Sequence, residues 1–170
     1  MTDAPSTMRG FTLIELLVTL AVAAILLTVA VPNYQMFVMN SRMTTQANDL
    51  ITALNMARSE AVKRAANVMV CTGIGCPGNV SWTQGWIIAD AAGNPIRKQQ
   101  ALSGASTVTP GTDVANTITF TSNGRTTIST TATVASTTLT LCPPVPAIVQ
   151  GRAIQIERTG RTRVSAVACP

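Results

Sequence analysis

Residues 11–31 read FTLIELLVTLAVAAILLTVAV, a run of twenty-one residues in which Glu15 is the only charge. At 1.5 Å per residue, a helix of that length covers roughly 30 Å, the thickness of a bilayer's hydrocarbon core. Arg9 lies just before the run, and a basic residue there keeps the N-terminus cytoplasmic. Everything after Val31 is then expected on the far side of the membrane. A cleaved secretory signal and a plain single-pass anchor are the bland alternatives. A secretory signal is cut at a small-x-small site after its apolar stretch, whereas Pro32 and Asn33 follow this one directly. A plain anchor explains the length but not Glu15. A carboxylate inside an apolar helix costs about 2.5–3.5 kcal/mol on insertion scales, so it needs a partner. Cutting the chain between Gly10 and Phe11 would place a new amine one helical turn from Glu15, the i, i+4 relation, and neutralise both charges in lipid.

The rest of the composition narrows the chemistry. The 170 residues are 46% hydrophobic and 11% charged, with net charge +5 and no histidine. That length holds one ordinary domain and an appendage. Without histidine, Ser-His-Asp and Cys-His mechanisms and His-ligated metals are excluded. Asp90, Asp113 and Glu157 are scattered and suggest no paired-carboxylate site. No enzyme activity and no cofactor is expected.

Pro32 is expected to kink the helix rather than end it, because periodicity resumes beyond it. Met43, Ala47, Leu50, Leu54, Ala57 and Ala61 recur in alternating steps of four and three, one stripe of an amphipathic helix. Arg42, Asp49, Arg58, Glu60, Lys63 and Arg64 fall mostly off it. The stripe is read as covering a globular domain, since small alanines bury little area at a membrane surface.

After Asn67 the pattern changes to short β-type runs with turn punctuation. Strands are expected near 68–71, 85–90, 96–99, 117–121, 125–129, 137–141, 152–157 and 163–167. Asn123-Gly124 suits a type I′ hairpin turn and 92–95 another turn. Residues 73–78 spell GxGxxG, but that fingerprint works only where it opens a helix, and none is expected here.

Four cysteines allow three pairings, and export makes disulfides expected. The pairs expected are Cys71–Cys76 and Cys142–Cys169; a four-cysteine zinc site is disfavoured because no CxxC spacing occurs. Loop entropy credits the two bridges with about 2 and about 3.5 kcal/mol.

The stretch Arg9-Gly10-Phe11-Thr12-Leu13-Ile14-Glu15-Leu16 resembles the class III signal of type IV pilins and pseudopilins. That resemblance implies cleavage by a prepilin peptidase after Gly10, methylation of Phe11, and a role for Glu15 in setting subunit register in the filament. Gly85-Trp86, Ser122-Asn123-Gly124-Arg125 and the basic hairpin near the C-terminus resemble the GspH/FimT branch of that superfamily. The fold this implies is α+β and pilin-like, a long N-terminal helix packed on an antiparallel β-sheet headgroup. The chain would divide into a leader (1–10), a transmembrane half-helix (11–31), an amphipathic half-helix (32–66) and a β-rich headgroup (67–170). Its home would be the inner membrane, with the headgroup periplasmic, and then a pilus or pseudopilus at the cell surface.

The hairpin carries Arg158-Thr159-Gly160-Arg161-Thr162-Arg163. Gly160 is expected to take the positive φ of a tight turn, presenting guanidinium groups suited to phosphates. Composition alone allows an ordinary solvated turn. Gly160-Arg161-Thr162-Arg163 also fits the GRxR motif that FimT-type minor pilins of transformable bacteria associate with DNA binding. The resemblance therefore implies a DNA-binding set of Arg158, Gly160, Arg161 and Arg163, with Arg152 and Arg125. Three phosphate contacts would give a log–log salt slope of roughly −2.7, about 40-fold weaker binding from 50 to 200 mM salt. Partners expected are DNA, other pilin subunits, the prepilin peptidase and the inner membrane. The runner-up is a minor pilin or type II secretion pseudopilin that primes assembly through protein contacts, its arginines facing a neighbouring subunit.

Mass spectrometry of the assembled protein should find a mature N-terminus at methylated Phe11. Retention of the first ten residues in a working filament would refute the pairing argument for Glu15.

Overall fold

The computed structural model describes residues 11–111, 114, 116–127, 136–145 and 149–169. One helix, α1 (Leu13–Arg64), opens the chain. Its start is capped by Thr12, whose hydroxyl accepts from the Glu15 amide at 3.3 Å, so Glu15 sits in the first turn, where a helix favours negative charge. The helix continues through Pro32. Asn33 lies beside the missing amide and donates its side-chain N–H to the Val29 carbonyl at 2.9 Å.

The chain divides into two units, Met1–Val38 and Met39–Pro170. In the first, α1 is long and apolar enough to cross a membrane, and its large side chains from Leu13 to Phe37 are exposed.

In the second unit, all six positions of the expected stripe are buried, together with Gln46 and Ala53. The Gln46 amide donates to the Ser103 carbonyl at 2.8 Å. The helix ends where Ala65 enters the left-handed region at φ +50°. The amides of Ala65 and Ala66 then close on the Val62 and Ala61 carbonyls, the paired bonds of a Schellman cap.

Among the described residues nine strands follow: β1 (Val68–Thr72), β2 (Trp86–Asp90), β3 (Pro95–Gln99), β4 (Thr107–Pro110), β5 (Thr117–Phe120), β6 (Thr126–Thr127), β7 (Ser136–Cys142), β8 (Gly151–Glu157) and β9 (Thr162–Val167). They form two antiparallel sheets, ordered β3-β2-β1-β5-β6 and β4-β7-β8-β9. Eight of the strands lie where the sequence pattern puts them. β4 was not expected: it is four residues long, ends on Pro110 and buries only Val108, so it shows little alternation, and its proline suits an edge position. Of the strand expected over 125–129, β6 keeps Thr126–Thr127, and 128–129 lie outside the described residues.

One core joins the helix to both sheets. Met43, Leu50 and Leu54 pack with Val68, Val70, Ile88, Ile118 and Phe120 of the first sheet and with Val108, Leu139, Leu141, Ile154 and Ile156 of the second. On its other face the first sheet buries Cys71, Ile87 and Ala89 against Met69 and Cys76. The Cys71–Cys76 disulfide clips the following loop there. Cys142–Cys169 ties the end of β7 to the residues just past β9. Both expected pairings are therefore present.

The β2–β3 turn is held by Asp90. Its carboxylate accepts from the Asn94 side chain and from the amides of Asn94 and Ala92. The Asn94 side-chain bond is the largest influence holding this carboxyl below its usual range. A depressed acid contributes stability that is present above its unfolded pKa and lost as pH falls through the folded one.

Leu54, fully buried at the centre of the stripe, is the test position. Leu54→Ala should cost about 2–5 kcal/mol, read as a lower urea midpoint for the full chain in detergent. A cost below 1 kcal/mol would contradict the shared core.

Candidate nucleic-acid interface

The β8–β9 connection has the geometry its glycine implies. Gly160 lies at φ +78°; its amide donates to the Glu157 carbonyl at 2.9 Å, and the Glu157 amide donates to Arg161 at 2.9 Å. This is a type I turn closed by a left-handed glycine, the three-residue hairpin loop with a bulge.

The β5–β6 connection repeats it. The Gly124 amide donates to Thr121 and the Thr121 amide to Arg125, each at 2.8 Å, with Gly124 at φ +76°. The type I′ turn expected at Asn123-Gly124 is therefore not formed. Type I′ needs positive φ at both central residues, and among the described residues Asn123 does not have it. The Asn123 side chain instead accepts from the Thr121 hydroxyl and the Arg125 amide. Those bonds fix the longer loop.

These two turns, from different sheets, meet. The Thr126 amide donates to the Arg158 carbonyl at 3.0 Å, and the Thr126 hydroxyl donates to the Glu157 carbonyl at 2.8 Å. A Cβ added to Gly160 would run into the Gly124 carbonyl. Glycine is thus needed at 160 for the turn and again for the close approach. Each turn then delivers an arginine immediately after its glycine: Arg125 from one, Arg161 from the other.

The arginines expected to bind DNA fall into four groups. Arg125 and Arg161 are exposed, and neither side chain has a partner among the described residues. Arg158 is half-buried and is not a free cation. Arg163 is exposed but paired with Glu157 at 3.2 Å. Arg152 does not reach the tip. It pairs with Ala166 and Leu141 at the other end of the hairpin, and its guanidinium donates to Asn40 of α1 at 2.9 Å. It lies six positions before Arg158 along an extended chain, about 20 Å.

Arg58 of α1, one of the charges off the apolar stripe, is a neighbour of the site. Its Nε donates to the Gly124 carbonyl at 3.1 Å. Two residues further along α1, Glu60 is taken by Arg64 at 2.7 Å and Lys63 at 3.9 Å. The Arg64 hydrogen bond is the largest influence lowering its pKa, so Glu60 is already spent on cations of its own helix. The one signal that could have pointed to the composite site is the repeated Gly-Arg step at 124–125 and 160–161.

Among the processing and assembly residues, Gly10 lies outside the described residues, while Phe11 and Glu15 stand exposed at the start of α1. Among the described residues, no cluster of three or more acidic or cysteine side chains is placed to hold a metal, and the four cysteines are spent in disulfides.

Residues 46–160 match the family described as type II transport protein GspH, and residues 6–31 match the prokaryotic N-terminal methylation motif. No protein with a curated description matches the chain. Among solved structures, it is similar to the type IV minor pilin FimU of Pseudomonas aeruginosa in a P21 crystal, with TM-score 0.59 and 23% identity over 76% of this chain and 92% of that one. It is also similar to the minor pseudopilin EpsH from the type 2 secretion system of Vibrio cholerae, with TM-score 0.56 and 14% identity over 74% of this chain and 97% of that one. The long helix on antiparallel sheets is the architecture those chains share with this one. A family match over more than half the chain, a methylation motif at its start and this fold together place the chain in the GspH family, within the type IV pilin and pseudopilin superfamily.

Proposed function

We propose that the chain is a minor pilin whose two-turn arginine tip binds the phosphate backbone of extracellular double-stranded DNA during uptake, without sequence specificity. On this reading prepilin peptidase cuts after Gly10, and Phe11 is methylated. Segment 11–31 holds the subunit in the inner membrane, N-terminus cytoplasmic and headgroup periplasmic, until it joins other pilins in a filament. The methylation motif over residues 6–31 and the apolar start of α1 support that sequence of events.

The observation that carries the DNA reading is the pair Arg125 and Arg161. Both are exposed at glycine turns that touch, and neither is neutralised by a described carboxylate. A guanidinium fork held this way suits a phosphodiester. Backbone contacts of this kind position a protein on DNA without reading bases. Stacking adds nothing at the tip, because Trp82, Trp86 and Phe120 are buried and no aromatic residue follows Phe120. Single strands should therefore gain no advantage over duplex. Affinity per subunit should be weak, about 10⁻⁴–10⁻⁶ M, and raised by several copies in one filament.

A second reading is a minor pilin or secretion pseudopilin that primes assembly by protein contacts. It is favoured by Arg152 and Arg163 already serving contacts within the subunit, and by the likeness to EpsH. Under it, Arg125 and Arg161 face a neighbouring subunit.

Titrating the full chain in detergent with a labelled duplex separates the two. Two free arginines give a salt slope of about −1.8, or about 12-fold weaker binding from 50 to 200 mM. A slope nearer −2.7 means that Arg158 or Arg163 exchanges its present partner for a phosphate. Arg125→Gln with Arg161→Gln should reduce affinity about 60-fold at 0.1 M salt. Unchanged affinity would remove the DNA reading and leave the pilin assignment standing.

A further inference from the structure

Arg58 is half-buried on α1, and it is the helical side chain that touches both turns. Its Nε–H points at the Gly124 carbonyl. A Cβ built on Gly160 would lie 3.0 Å from that same Nε and 3.2 Å from Cδ, and one built on Gly124 would lie 3.3 Å from Nε and 3.7 Å from Cγ. The stem therefore runs in contact with both glycines while the nitrogen satisfies the carbonyl of one. The Gly124 carbonyl has reason to need this. It faces the Gly160 Cα at a distance that admits no side chain, so water has little room to reach it from that side, and an unsatisfied carbonyl there would be costly.

The sheets themselves hold the two turns together only lightly. β6 is two residues long, and the Thr126 amide and hydroxyl bonds to Arg158 and Glu157 are what join it to the second sheet. Arg125 lies one residue from that junction and Arg161 one residue past Gly160. Their spacing depends on the junction staying closed.

We propose that Arg58 is the positioning residue of the arginine tip: its Nε holds the Gly124 turn against the Gly160 turn, so that Arg125 and Arg161 engage one phosphodiester backbone together. The ligand in this statement rests on the DNA reading above; the bracing of the turns does not. Loss of the brace lets the 121–125 turn move away, and Arg125 leaves the shared site.

Two variants isolate this role. Arg58→Gln keeps an N–H donor at the place of Nε and removes the charge. Arg58→Met keeps the length of the stem and removes the donor. Hydrogen exchange on the full chain in detergent should show Thr126 exchanging faster in Arg58→Met and near the wild-type rate in Arg58→Gln, with the β7–β8 amides unchanged in both as a check on folding. In duplex titration, Arg58→Met should lose about eightfold at 0.1 M salt, the worth of one phosphate contact. It should lose no more when Arg125→Gln is added, while Arg58→Gln stays close to wild type.

Unchanged Thr126 exchange in Arg58→Met would overturn the brace, whether or not DNA binds. Equal losses of affinity in both variants, or a loss of about 60-fold in Arg58→Met with Arg125→Gln, would make Arg58 a direct phosphate contact and overturn the positioning role. Faster Thr126 exchange in a protein whose wild type binds no duplex would uphold the brace and remove only the DNA reading.

Discussion

Everything past residue 38 depends on one face of α1 being covered on two sides at once. The sheets are small, and neither has a core of its own of any size on the face toward the helix. Phe120 and Ile118 of one sheet and Leu139, Leu141 and Ile154 of the other are buried only because Leu50, Leu54 and the neighbouring alanines lie between and beneath them. The alanines matter as much as the leucines, since Ala47, Ala57 and Ala61 let strands approach the helix closely at nearly zero exposure. Burial of this kind is non-directional. It fixes that the sheets sit on the helix, and hydrogen bonds then fix where.

Those hydrogen bonds run from α1 to both sheets and to the loops between strands. Gln46 to Ser103, Arg152 to Asn40, Thr162 to Asn55 and Arg58 to Gly124 are all contacts between helix side chains and the strands or loops around them. They divide the arginines between two uses. Arg152 and Arg58 are committed to the fold, Arg163 is paired with Glu157, and Arg125 and Arg161 are left at the surface. Arg125 and Arg161 thus stand side by side at one junction, where Glu157 is already taken by Arg163, while Arg97 and Lys98 are exposed on β3 at the opposite edge of the first sheet.

Much of this was legible in the residues. The apolar run with its single glutamate, the steps of four and three from Met43 to Ala61, and the alternation of Leu139-Thr-Leu141 and Ile154-Gln-Ile156 each depend on local periodicity, and each found its place. The disulfides followed from the export that the apolar run leads one to expect and from the positions of four cysteines. What stayed hidden was non-local. β4 carries one buried side chain and a proline, too little for alternation to show. The Asn123-Gly124 turn took a longer loop because the asparagine side chain could bond both ends of it, a local competition that a two-residue signal does not resolve. Arg58 stood out only as one of the charges off the stripe because the carbonyl it serves is 66 positions away. Arg152 looked like part of the basic tip because it is close to it in sequence, yet an extended strand carries it to the far end.

The functional claim unites a filament subunit with a charged tip, and the two parts separate in the cell. In a strain lacking this protein, complementation with the Arg125→Gln, Arg161→Gln variant should restore filaments seen by electron microscopy but leave DNA uptake, scored as transformants, near the level of the deletion. Normal transformation with the variant, or loss of filaments along with transformation, would contradict the account. The first result would show that DNA does not need these arginines, and the second that the subunit's neighbours do.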